Sequence, residues 1–131
     1  MVLGMDASPY DNMPLVVQRS QIFVNLAVTY YFGRHGLKII PNIRIGSDQT
    51  MESLSAYPCN TLISIGTNGF VHDKQNVKKL AEQVKVIADS IHPSGILVYG
   101  TMVDMIFNYP RSLHIPIYEF ESYIHKRRND K

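Results

Sequence analysis

The amino-acid sequence predicts an α/β domain made of repeated strand–helix units around a mostly parallel sheet of about five strands. Short apolar runs alternate along the chain with longer segments of helical periodicity. Three of the runs, LKIIP, TLISI and ILVY, are apolar on both alternating faces, as strands buried on both sides are. A length of 131 residues fits one domain spanning residues 1–131. The pattern is compatible with an open three-layer sheet and with half of a (β/α)8 barrel.

The first part of the chain predicts two strands and two helices. Residues 2–7 form an apolar run that leads into a turn-rich loop, and Pro14 suits the first turn of a helix, where its missing N–H group needs no partner. That helix ends at Gly36, which readily adopts the left-handed conformation found at helix C-termini. Residues 37–41 form the second strand, which proline ends, and residues 48–56 form a short helix.

The second part of the chain continues the alternation. Residues 61–66 are a β-rich run, and Asp73 caps the clearest helix of the sequence, whose apolar residues repeat at helical spacing as far as Ile91. The remaining predicted elements are a strand over 96–99, a helix over 102–108, a weaker strand over 113–118 and a helix over 119–128.

The first helix is unusually apolar on several sides. Its one uncharged polar stripe, at spacings of three and four residues, consists of Gln18, Gln21, Asn25 and Thr29. If the first strand has no neighbour on its outer edge, that edge and the apolar first helix need cover, because exposed hydrophobic edges invite pairing. We therefore expect a homo-oligomer.

Composition and charge limit the class of protein. A hydrophobic fraction of 45% with 18% charged residues is typical of a folded globular chain. The net charge of +2 is too small to indicate a nucleic-acid partner, although Lys126, Arg127 and Arg128 form a basic end that can touch phosphates. A single cysteine, Cys59, fits a reducing compartment. No secretory signal and no long apolar run is visible, so we expect a cytoplasmic protein without membrane contact.

The polar residues that follow the strands are the candidate site, because parallel α/β domains bind ligands at the carboxyl ends of their strands. Carboxylates suit Mg²⁺ and histidine suits proton transfer, so an acidic cluster with one histidine is a candidate for metal-assisted or acid–base chemistry. Asp6 and Asp11 are the candidate metal ligands. The same residues can instead be helix caps and solvated turn residues. The candidate catalytic set is Asp6, Asp11, His72 and Asp104.

A second feature of the same edge is the turn SIGTNG at residues 64–69, which joins a strand to a helix N-terminus. Backbone N–H groups in such a turn can cradle a phosphate, although the turn matches neither the P-loop nor the dinucleotide-binding pattern. The predicted ligand-binding residues are Ser8, Asn42, Arg44, Ser64, Gly66, Thr67, Asn68, Gly69, Tyr99 and Gly100.

The stretches MDASPYDNMPLVVQ, YYFGRHGLKIIPNI, TLISIGTNGFVHDK and HPSGILVYG occur in this order and cover nearly the whole chain. Together they resemble the family called domain of unknown function 4417, which is associated with phages and mobile elements. Members are generally longer at the N-terminus, so the chain resembles a short member. The resemblance implies a phage or mobile-element setting in a bacterial cytoplasm and no particular reaction. The residues that match are Asp6, Ser8, Asp11, Met13, Pro14, Gly36, Pro41, Ser64, Gly66, Pro93, Tyr99 and Gly100.

Three functions are compatible with these patterns. The first is binding of a nucleotide or another phosphorylated small molecule at the strand ends. The second is an interaction module that inhibits a host defence or replication protein. The third is a metal-dependent phosphoester hydrolase, with Mg²⁺ as the cofactor considered and the metal activating water. The patterns leave open whether the protein is an enzyme.

Overall fold

The computed structural model describes residues 1–121 and, beyond them, Arg127 and Arg128. Residues 1–121 form a mixed α/β fold with five strands, three α-helices and one 3-10 helix, as predicted. In chain order these are β1 (Val2–Leu3), α1 (Leu15–Arg34), β2 (Ile39–Ile40), the 3-10 helix (Asp48–Ala56), β3 (Leu62–Gly66), α2 (Lys74–Ile91), β4 (Gly95–Tyr99), α3 (Asp104–Ser112) and β5 (Ile117–Phe120).

The strand pairs within residues 1–121 are parallel and join strands that are consecutive in the chain. β1 pairs with β2, and β4 lies between β3 and β5. The two sheets are linked just after β2, where Asn42 and Ser64 form a parallel bridge. There the N–H of Ile43 donates to the carbonyl of Ser64, and the N–H of Ser64 donates to the carbonyl of Pro41, both at 2.9 Å. The loops that follow β1, β2 and β3 therefore meet at one edge.

The core lies between one face of the β3–β5 sheet and the helices. Side chains of β3 and β4 that alternate toward this face are at most 2% exposed, and each stabilises the fold by roughly 1.5–3 kcal/mol through burial. α2 follows its predicted apolar stripe, and α3 packs beside it. The central core side chains are Ile63, Ile65, Ile96 and Val98 of the sheet, Leu80, Val84, Ile87 and Ile91 of α2, and Ile106 and Phe107 of α3.

The other face of the sheet is only partly covered. Leu62, Leu97 and Tyr99 are half-buried there, while Tyr118 and Phe120 on β5 are exposed. Consecutive parallel strands with right-handed connections place their helices on the same side, which explains why one face is closed and the other is not. The expectation of burial on both faces therefore holds for most of β3, whose Ser64 is buried on this face, and for one face of β4.

Several element boundaries differ from prediction. The first strand covers only two of the six predicted residues, because the chain turns toward α1 after the N–H of Gly4 donates to the carbonyl of Ile40 at 2.8 Å. Residues 48–56 wind as a 3-10 helix. Glu119 and Phe120, predicted to begin a helix, extend β5 instead, because they pair with Val98 and Tyr99. Residues 122–126 of the predicted final helix lie outside the described residues. No helix within residues 1–121 combines the length and the apolar character needed to cross a lipid bilayer.

Candidate functional site

Buried amide side chains of α1 hold the first two loops of the strand-end edge. Asn25 binds both backbone groups of Ala7, accepting from its N–H at 2.7 Å and donating to its carbonyl at 2.8 Å. Gln18 donates to the carbonyl of Met13 at 2.8 Å and accepts from the N–H of Ser47 at 2.7 Å. Both amides are 2% exposed, so they replace water as partners of these backbone groups. The loop of residues 7–13 is thereby joined to the loop of residues 42–47.

α2 contributes a third buried amide. Gln83 donates to the carbonyl of Gly46 at 3.0 Å, while the N–H of Gly46 donates to the hydroxyl of Thr50 at 3.0 Å. A Cβ at Gly46 would lie 2.7 Å from the carbonyl oxygen of Pro9 and would overlap the Gln18 amide. Glycine is therefore required where the two loops and α2 approach one another.

Arg44 lies across the end of β3. Its guanidinium donates to both carboxylate oxygens of Asp6, from Nε at 2.5 Å and from Nη2 at 2.6 Å. Nη1 also reaches the carbonyl of Gly66 at 3.4 Å. A Cβ at Gly66 would lie 2.8 Å from Nη2, so the missing side chain makes room for the guanidinium. The Arg44 side chain is 13% exposed, against 45% for Asp6.

Lys79 of α2 forms the second ion pair of the edge, with Asp11 at 2.5 Å. The hydrogen bond from Lys79, and then its positive charge, lower the pKa of the Asp11 carboxyl from its ordinary value. Asp11 is 58% exposed, so water screens the pair and its contribution to stability is at most about 1 kcal/mol.

These groups surround a cavity of about 240 Å³, here called the rim cavity. Larger cavities lie elsewhere: one of about 480 Å³ borders the partly covered sheet face, and one of about 460 Å³ lies at the opposite edge beside His92 and His114. The rim cavity is the candidate site because strand ends, two cations and a glycine-containing turn converge there. Its lining residues are Ser8, Pro9, Tyr10, Asp11, Arg44, Ile45, Gly46, Asn68, Gly69, Phe70, Asn76, Lys79 and Gln83.

The structure brings seven of the ten predicted ligand-binding residues, and the predicted carboxylates Asp6 and Asp11, to this cavity or next to it. Asp6 and Gly66 adjoin it through Arg44. Thr67 is fully buried close by, and its hydroxyl donates to the carbonyl of Thr101 at 2.9 Å. Gly100 packs against Thr67 with a φ of 120° that other residues rarely adopt. The predicted residues that line the cavity itself are Ser8, Asp11, Arg44, Asn68 and Gly69.

The other predicted residues lie apart from the rim cavity. Ser64 is buried and, with Asn42, joins the two sheets. Tyr99 borders the cavity on the opposite sheet face. His72 is exposed in the turn before α2. Asp104 pairs with Arg111 at 2.7 Å on α3.

The acidic residues do not gather into a metal-binding group. Asp6 pairs with Arg44, and Asp11 pairs with Lys79. Within residues 1–121, no set of three or more histidine, cysteine or acidic side chains is arranged to hold a metal ion. Of the basic C-terminal residues, Arg127 and Arg128 are exposed, and Lys126 lies outside the described residues.

Sequence reasoning missed the contribution of α2. Asn76, Lys79 and Gln83 follow one another at spacings of three and four residues, beside the apolar stripe of the helix. Residues at this spacing share one face of a helix. The N-terminal part of a helix that follows a strand lies near the strand-end edge. This polar row therefore indicates from the sequence that α2 contributes side chains to the site.

Fold and site together define a parallel α/β domain with a polar cavity at the carboxyl ends of its strands. The chain belongs to the family described as domain of unknown function (DUF4417), whose model matches residues 1–120. No match was found among curated proteins or among solved structures.

Proposed function

We propose that the rim cavity binds a nucleotide or another phosphorylated small molecule. The observation that carries the proposal is the convergence of two cations, Arg44 and Lys79, with the turn Asn68–Gly69 around one cavity. The planar guanidinium of arginine matches two phosphate oxygens, and a lysine adds a point charge. Both cations come from sequence-distant loops or helices that buried amides hold in place.

In the free protein the two carboxylates keep the cations in position. Asp6 and Asp11 are 45% and 58% exposed, so each can return to water when a phosphate takes its place. The largely exposed Lys79–Asp11 pair contributes only about 0–1 kcal/mol, so exchanging Asp11 for a phosphate has a small cost. A dianionic phosphate in contact with both cations offers stronger charge-assisted hydrogen bonds than either carboxylate alone.

The turn before α2 supplies neutral donors. Gly69 has a φ of 85°, and a left-handed residue in a turn is a feature of the backbone hollows in which successive N–H groups bind an anion. The first turn of α2 is capped by Asp73, which accepts from the N–H of Gln75 at 2.9 Å. The Phe70 N–H already donates to the carbonyl of Thr67 at 3.1 Å, so the phosphate is expected at the N–H groups of Asn68 and Gly69 and not at the capped helix end.

The size of the cavity limits what it encloses. About 240 Å³ is below the ~300–1,000 Å³ of sites that bury a drug-sized ligand. The cavity thus encloses the phosphorylated end of the ligand, and the remainder lies at the mouth. Tyr10 lines that mouth and is 60% exposed, which offers an aromatic face to a base or a sugar.

A thermal-shift titration tests this function. The probes are inorganic phosphate, nucleoside mono- and diphosphates and sugar phosphates, each with and without Mg²⁺. A ligand present at 100 times its Kd stabilises by about 2.7 kcal/mol and raises Tm by several degrees. Lys79→Met should abolish the shift, while Lys78→Met, the same change on the exposed side of α2, should preserve it. The proposal fails if no phosphorylated probe stabilises the protein, or if both variants respond like the unmodified chain.

The Mg²⁺ arm of the same titration addresses the hydrolase hypothesis. Stabilisation by Mg²⁺ alone that disappears in Asp6→Asn supports a metal at the carboxylates. The role in inhibiting a host protein and the phage or mobile-element setting stay predictions.

A further inference from the structure

α1 has an outer face that is apolar and exposed over its whole length. Its residues near the N-terminus, the middle and the C-terminus are all more than half exposed: Val16 70%, Phe23 69%, Tyr30 70% and Tyr31 58%. The inner face of the helix packs on the protein through Gln18, Ile22 and Asn25. A helix that is hydrophobic all round is normally buried all round. The outer face therefore requires a partner surface.

The part of the outer face between Val16 and Tyr31 lacks free charge, and the exposed Arg34 lies just beyond it at the C-terminal end of the helix. Within α1 the charged residues are Arg19 and Arg34, and Arg19 is bound to Glu52 of the 3-10 helix at 2.7 Å. Ser20, the polar residue in the middle of the face, donates its hydroxyl to the carbonyl of Val16 at 2.8 Å. The Ser20 hydroxyl proton is thus already bound within the helix, so burying Ser20 against an apolar surface leaves this donor satisfied.

The side chains of this face are arranged symmetrically about the middle of the helix. When α1 is laid antiparallel on a copy of itself, residues at equal distances on either side of the point between Phe23 and Val24 face each other. The side chains that face each other in this way are complementary in size. Large residues then meet β-branched valines, and the two small residues meet each other. The facing pairs are Val16 with Tyr31, Val17 with Tyr30, Ser20 with Ala27, and Phe23 with Val24.

We propose that the outer face of α1 is the interface of a homodimer, in which α1 packs antiparallel on α1 of a second copy. The two-fold axis passes between Phe23 and Val24. Small residues at Ser20 and Ala27 allow the helices to approach, and the antiparallel arrangement also opposes their dipoles favourably. A two-fold axis brings the same patch of both subunits into contact, so the patch must be complementary to itself. The size pattern of α1 meets this condition.

The available area is sufficient for such a dimer. A fully buried aromatic side chain buries ~150–250 Å². On this scale, the exposed parts of the valine, phenylalanine and tyrosine side chains in the facing pairs amount to roughly 600 Å² per protomer. Specific interfaces bury about 800 Å² per partner, so this face alone provides most of the area that a specific dimer needs. A lipid surface fits less well, because helices that lie on membranes carry rows of lysine and arginine beside the apolar face.

Sedimentation equilibrium over micromolar concentrations tests the interface. The unmodified protein should be a dimer, and Phe23→Glu should weaken dimerisation by at least about a hundredfold, since it buries a charge at the centre of the contact. Met105→Glu is the matched control, because Met105 is also exposed, at 53%, and lies on α3. Circular dichroism should show the same fold for all three proteins, because neither substituted side chain is buried.

Disulfide trapping tests the orientation in a Cys59→Ser background. The double variant Ser20→Cys with Ala27→Cys should form covalent dimers under mild oxidation. In the proposed dimer the thiol at position 20 of one copy faces the thiol at position 27 of the other. Ser20→Cys alone should not, since the two copies of residue 20 are about 10 Å apart along the helices at 1.5 Å per residue. A monomer at 100 μM, a dimer that Phe23→Glu leaves intact, or equal trapping of the single and double variants overturns the proposal.

Discussion

The side-chain amide of Asn25 binds the backbone N–H and carbonyl of Ala7, as a neighbouring strand would. It accepts from the Ala7 N–H at 2.7 Å and donates to the Ala7 carbonyl at 2.8 Å, across 18 positions of sequence. Backbone groups at the end of a short strand need partners, and here a buried helix residue supplies both. This contact fixes where the loop of residues 7–13 begins, and that loop forms one wall of the rim cavity.

Asn25→Ala should destabilise the protein by about 1–3 kcal/mol, because it removes the partner of both backbone groups of the half-buried Ala7 and leaves a gap where the 2%-exposed amide was. Chemical denaturation measures the change, and Asn108→Ala, an exposed asparagine within α3, is the control that should change stability by less than ~0.5 kcal/mol. Equal effects of the two substitutions would contradict the role given to Asn25. The substitution should also weaken any phosphate-dependent thermal shift, because the loop that carries Ser8 and Asp11 loses its anchor.

Gly46→Ala and Gly33→Ala should have opposite effects on Tm. A methyl group at Gly46 overlaps the Gln18 amide and the Pro9 carbonyl, so the two loops must separate. A methyl group at Gly33 has no atom within 4 Å and lies in α1, where alanine is favoured over glycine by roughly 0.5–1 kcal/mol. Differential scanning calorimetry measures the Tm of both variants. A stable Gly46→Ala protein would show that the close approach of the loops is not required.

The pKa of Asp11 should lie below the ordinary value of about 3.9 and should rise toward it in Lys79→Met. A carboxyl whose pKa is depressed by folding stabilises the native state above its unfolded pKa and loses that contribution as the pH falls through the folded value. The stability difference between the unmodified protein and Lys79→Met should therefore shrink below about pH 4. NMR titration of the side-chain carboxyl measures the shift, and Lys78→Met should leave it unchanged.

Phe107→Ala should destabilise the fold by about 3–5 kcal/mol, because the ring is fully buried among the core residues of α2 and the sheet. Met105→Ala, two positions earlier on the same helix, is 53% exposed and should change the free energy of unfolding by less than ~0.5 kcal/mol. Urea denaturation with matched m-values provides the comparison. A small effect at Phe107 would mean that α3 does not belong to the main core.

Local sequence patterns predicted α2 and the strands that flank it. Asp73 caps the helix as expected, and the apolar stripe from Val77 to Ile91 faces the core. These features depend on spacing and on side-chain chemistry within a few residues, which the sequence displays directly. The carboxyl-end rule then placed Ser8, Arg44 and Gly69 at one edge, and the structure has all three around the rim cavity.

The strand-end rule was too coarse for other residues. Tyr99 lies beside Gly66 at the end of β4, yet its side chain borders the cavity on the partly covered sheet face, because it alternates with the core-facing Val98. Asp104 lies after β4 but is drawn to Arg111 within α3. Position along the chain predicts the edge, while the direction of each side chain depends on the strand register.

By itself the sequence determined the order of the elements, their parallel pairing and the edge where polar residues collect, because these follow from periodicity, turn residues and the handedness of connections. Tertiary structure alone decided that Arg44 meets Asp6 across 38 positions, that Lys79 of α2 completes the cavity, and that α1 keeps an apolar outer face. Such contacts depend on how neighbouring elements pack in three dimensions. Side chains far apart in the chain become partners only when the sheet has assembled and buried its core.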